Sequence, residues 1–223
     1  MPKFLHRLFA LICLATAAHA TAIITVVVDT HTLVGHAAAP FYLDFQFTDG
    51  SGTGDGNNMV EIHSFDFGLG GSIGSLFETP QGDATGDLSS GITLRDTQFF
   101  NSFGQSFNPG DKLTLQVNLP GNVDAAGTPD GFTFSILDSS LFPIPTLAPF
   151  LQDFVLAADI DGANPTIQVY GGDISRTPSA GGTVLDFGVQ YSSDSVDVPE
   201  PAANWEVAVG LLLAVLARIR IRS

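Results

Sequence analysis

The sequence predicts an all-β chain, an antiparallel β-sandwich or jelly roll, and three observations lead there. Apolar and polar residues alternate with a period of two over many short segments, which buries one face of a strand. Breaks rich in Gly, Asp, Asn and Pro separate those segments, and the chain carries 24 glycines and 13 prolines. No helix-period stretch lies between them, so a parallel sheet with crossover helices is not expected.

Taken in order, residues 1–20 read as a secretory signal peptide. Lys3 and Arg7 form a basic start, Leu8 to Ala17 an apolar run, and Ala18-His19-Ala20 a small-residue cleavage site that leaves Thr21 as the new N-terminus. The apolar run is too short to span a bilayer comfortably. Cys13, the chain's one cysteine, lies inside it, so processing leaves no disulfide and no thiol chemistry. Leu11 and Ile12 before it do not fit a lipoprotein signal, which needs a small residue there.

Residues 21–191 form the expected sandwich. Strands are predicted at Ile23–Val28, Phe41–Phe47, Met59–Phe67, Leu113–Val117, Phe132–Ile136 and Ile167–Tyr170. Turns fall at Asp49–Asn58, Pro120–Gly131 and Asn164–Pro165. The phenylalanines at alternate strand positions suit a core better than a sugar-stacking platform. Residues 192–201 read as a linker, where Pro199 and Pro201 hold the chain extended. Residues 202–217 are expected to form a hydrophobic sorting or transmembrane helix, matching an N-terminal signal helix on the other side of the body, and 218–223 a basic cytoplasmic end with Arg218, Arg220 and Arg222. If the body is exported, the positive-inside preference keeps those arginines in the cytoplasm, and Trp205 falls where an aromatic marks the outer interface.

The order Val198-Pro199-Glu200-Pro201, apolar run, arginine-rich end resembles the PEP-CTERM sorting signal of exopolysaccharide-producing Gram-negative bacteria. That resemblance implies export through the Sec translocon, cleavage by signal peptidase and a passing residence in the inner membrane. It also implies recognition by an exosortase, which processes the tail and passes the protein to the cell surface. Two features depart from the pattern. Glu206 interrupts the apolar run, and Val207 to Ala217 makes only about 17 Å of helix against a hydrocarbon core of about 30 Å. Counted from Pro201 to Arg218 the length is roughly 25 Å, which a thinned bilayer and snorkelling arginines accommodate. The body resembles a recurrent PEP-CTERM protein type without an assigned activity. Its marks are Pro40–Phe45, Asp49–Asn58, Thr128–Phe134 and Pro143–Pro149.

Charge and motifs narrow the functional classes. Lys and Arg total 8 against 23 acids, a formal charge of -15, and between the two ends only Arg95, Lys112 and Arg176 are basic. Such a body repels nucleic acid. No Gly-x-Ser-x-Gly elbow or His-Glu-x-x-His pattern occurs, and no catalytic residue is assigned. His31 and His36 are spaced poorly for sharing a metal. Calcium is the ligand the loops suit best, because it takes oxygens from Asp, Asn and backbone carbonyls in Gly-rich turns. Asp49, Asp55 and Asn57 (with Asn58) form one candidate set and Asp159 and Asp161 another; neither has EF-hand spacing, and solvated turns are the plainer reading of both. The expected function is that of a non-enzymatic surface or extracellular-matrix protein associated with exopolysaccharide. The alternative is a carbohydrate-binding module assisted by calcium.

Overall fold

The computed structural model describes residues 21–52, 54–76, 79–119, 128–160, 165–176 and 182–196. These residues belong to one compact unit running from residue 20 to residue 196. In chain order the strands are β1 (Thr21–Asp29), β2 (Phe41–Thr48), β3 (Met59–Asp66), β4 (Ser72–Leu76), β5 (Asp83–Asp87) and β6 (Gly91–Arg95). They continue as β7 (Phe100–Asn108), β8 (Lys112–Leu119), β9 (Asp130–Leu137), β10 (Leu156–Ile160), β11 (Thr166–Val169) and β12 (Val189–Val196). Helix is confined, among the described residues, to two short 3-10 turns at His31–Leu33 and Pro149–Leu151.

The strands form two antiparallel sheets of six, ordered β12-β1-β8-β3-β6-β5 and β11-β10-β9-β2-β7-β4. One core cluster draws on both, consistent with a β-sandwich. The inner faces differ in chemistry. The first sheet contributes aliphatics such as Ile24, Val26, Val60, Ile62, Leu115 and Val117, and the second contributes phenylalanines. In the second, β2 runs between β7 and β9, so Phe45 sits opposite Phe103 on one side and Phe134 on the other. The Phe45 and Phe134 rings stack at 5.0 Å. Phe41, Phe45, Phe47, Phe103, Phe107, Phe132 and Phe134 are fully buried, and each stabilises the fold by roughly 1.5–3 kcal/mol relative to exposure.

The six predicted strands coincide with β1, β2, β3, β8, β9 and β11. The stretch expected to continue through Phe67 stops at Asp66, because the register with β8 shifts between His63 and Asp66 and Ser64 adopts φ 57°. The C-terminal boundary of the body moves further. Residues 192–196, expected in the linker, are the second half of β12, which pairs with β1 from Val28↔Val189 to Thr21↔Val196. An edge strand needs only its backbone groups to pair, so the exposed run Tyr191-Ser192-Ser193-Asp194 serves without an apolar pattern. The expected signal helix, the Pro-Glu-Pro linker and the apolar stretch 202–217 lie outside the described residues. Among the described residues no helix is long and apolar enough to cross a membrane.

Pairing also fixes which loops share an end. Thr48 opposes both Phe100 and Gly131, Met59 opposes Arg95, and Asp130 opposes Ile160. The Asp49–Asn58 loop, the turn after β6 and the start of β9 therefore gather at one end of the sandwich. Thr21 and Val196 emerge at that same end, since Ala22 opposes Leu119 while Glu61 near the start of β3 opposes Asn118.

Candidate functional site

The acidic loop at this end is drawn tight by two glycines. A Cβ on Gly50 would lie 2.1 Å from the Thr128 carbonyl oxygen, and one on Gly54 would lie 2.6 Å from that of Thr97. Gly54 also holds φ +66°, a left-handed backbone that L side chains rarely adopt. The loop thus lies directly against the β9 entry and the β6–β7 turn.

Within it, the Asp49 carboxylate accepts hydrogen bonds from its own turn. Its Oδ1 accepts from the Ser51 hydroxyl at 2.7 Å and the Gly52 N–H at 2.9 Å, and its Oδ2 accepts from the Gly54 N–H. Burial opposes its ionisation, yet these donors outweigh it and hold its carboxyl below the usual range. Asp55 is exposed, and its carboxylate accepts from the Asn57 N–H and the Asn57 side-chain amide at 3.3 and 2.9 Å.

The residues that converge were only partly expected. Asn58 precedes β3, Asp96 follows β6 and Asp130 begins β9; they are 4%, 0% and 1% exposed. The Asn58 N–H donates to Asp96 Oδ2 at 2.9 Å, and the Asn58 side-chain amide donates to Asp130 Oδ2 at 2.6 Å. Asp130 Oδ1 accepts from the Gly50 N–H at 2.7 Å, tying the loop to both sheets. The opposite atoms of the first two residues, Asp96 Oδ1 and Asn58 Oδ1, are buried without a hydrogen-bond partner. An unmet buried acceptor costs about 1–3 kcal/mol. Burial, and after it the charges of Asp130 and Asp55, push the Asp96 carboxyl up to about 6.

The second expected set does not join them. Asp159 is exposed on β10 opposite Gly131, on the face away from the core that Ile160 enters. Asp161 lies outside the described residues, as do Ala18, Ala20, Val198, Pro199, Glu200, Pro201, Arg218, Arg220 and Arg222. Among the described residues no three His, Cys, Asp or Glu side chains are placed to hold a metal by themselves. His31 bonds Asp29 through Nδ1, while His36 Nδ1 accepts from the Ala38 N–H at 3.1 Å, so each ring serves its own turn. Tyr42 on β2, Tyr170 after β11 and Tyr191 on β12 lie on separate strands and build no common stacking platform.

Asp96 and Asp130 escaped the sequence because they stand 38 and 72 residues from Asn58. The one available signal was that each Asp adjoins a strand end, as turn aspartates commonly do. Comparison with protein-family models, curated proteins and solved structures finds no match.

Proposed function

We propose that this chain is an exported, exosortase-sorted β-sandwich whose body serves at the cell surface or in an exopolysaccharide matrix without catalysing a reaction. The observation that carries the reading is the tail: Val198-Pro199-Glu200-Pro201, an apolar stretch, then Arg218, Arg220 and Arg222 behind a strongly acidic body. In a soluble domain of this charge the clustered terminal arginines have no other evident use, whereas a cytoplasmic anchor point needs them.

Within the described residues, Thr21, which the expected signal cleavage would expose, pairs with Val196, which precedes the Pro-Glu-Pro segment in the chain.

Replacing Pro199, Glu200 and Pro201 together by alanine in the native bacterium tests the reading. Wild-type protein is expected in the surface and extracellular fractions, and the variant is expected to accumulate in the inner membrane. Equal release of the two proteins would contradict sorting by this motif.

A further inference from the structure

We propose that Asp96 and Asn58 are the inner ligands of a calcium site at the loop end of the sandwich, with Asp130 as its second carboxylate. This inference stands apart from the sorting reading, since it rests on the body alone.

Two buried oxygens without donors carry it. Asp96 is anchored through Oδ2 by the Asn58 N–H, which leaves Oδ1 unmet. The Asn58 amide is oriented by Asp130, which accepts from its nitrogen at 2.6 Å and so leaves its oxygen unmet as well. The two vacancies thus arise on neighbouring residues joined by a hydrogen bond, and both call for a positive partner. Among the described residues no basic side chain supplies one: the ion pairs there are His31 with Asp29 and Arg176 with Asp153. Burial first, and after it the negative charges of Asp130 and Asp55, raise the affinity of Asp96 for a proton. A cation relieves the same repulsion.

The donor chemistry selects the ion. Among the described residues no three carboxylate, imidazole or thiolate groups converge, so a transition metal finds no adequate set there. Calcium accepts mixed carboxylate, amide, carbonyl and water oxygens in irregular geometry, whereas magnesium demands a compact octahedron. Exposed Asp55 adds a further negative charge that acts on Asp96. A proton on Asp96 is the competing occupant, and experiment separates the two.

The test uses the protein purified from whole cells and culture medium of the native bacterium together, stripped with chelator and titrated with calcium chloride near neutral pH. One ion per chain is expected by calorimetry, with a rise in thermal midpoint of about 5 °C or more at ~1 mM calcium. Asp96→Asn should abolish both responses while its calcium-free midpoint equals or exceeds that of wild type. Asp87→Asn, in a turn at the far end of β5, should keep them. An absent response in wild type, or an undiminished one in Asp96→Asn, would overturn the site. An equal response to magnesium chloride would overturn the choice of calcium.

Discussion

Asp96 differs from the other perturbed carboxylates in the sign of its effect on stability. Its folded value of about 6 lies above the ordinary 3.8, so between these limits the native chain holds a proton that the unfolded chain has released. Its contribution is full below pH 4, declines as pH rises through 6, and amounts to on the order of 3 kcal/mol. Asp87 behaves oppositely: the Ser89 hydroxyl first, then the Ser90 N–H and hydroxyl, hold it down to about 2. Asp29, held mainly by His31, and Asp173, held mainly by Ser175, are lowered too. These groups stabilise above pH 4 and lose that contribution as pH falls toward 2. Calcium-free protein should therefore be most stable near pH 4 and weaken toward pH 7. Urea midpoints across that range measure it, and Asp96→Asn should flatten the decline. A flat wild-type profile between pH 4 and 7 would remove the electrostatic argument for Asp96.

At the level of elements, the loop between β2 and β3 depends on close backbone approach at Gly50. Gly50→Ala should cost about 1–3 kcal/mol in urea unfolding, since the added carbon meets the Thr128 and Pro129 carbonyl oxygens at 2.1 and 2.4 Å. Gly131→Ala, where nothing lies within 4 Å, should change stability by no more than about 0.5 kcal/mol. Equal losses would mean that the loop yields freely and does not hold the acidic group together. Strands such as β2 were legible because burial alternates residue by residue along Phe41–Thr48. β7 was not, because polar groups enter its buried positions. Asn101 there accepts from the Asp83 N–H at 2.8 Å, and Gln105 donates to the Gly74 carbonyl at 2.8 Å. Those partners arrive from other segments, so no local period records them. The same reason hid the site: the Asp49–Asn58 loop reads as rich in oxygen, but Asp49 spends its oxygens on its own turn while Asp96 and Asp130 come from distant strands.

At the scale of the whole molecule, Thr21 and Val196 face each other across the β1–β12 pair, and the proposed calcium group lies at the same end of the fold. The most direct test of export and sorting is the intact mass of the protein recovered from the native cell exterior. A mass that starts at Thr21 and ends between Pro199 and Pro201 is the result this account predicts. A mass that still includes Arg218, Arg220 and Arg222 would contradict it.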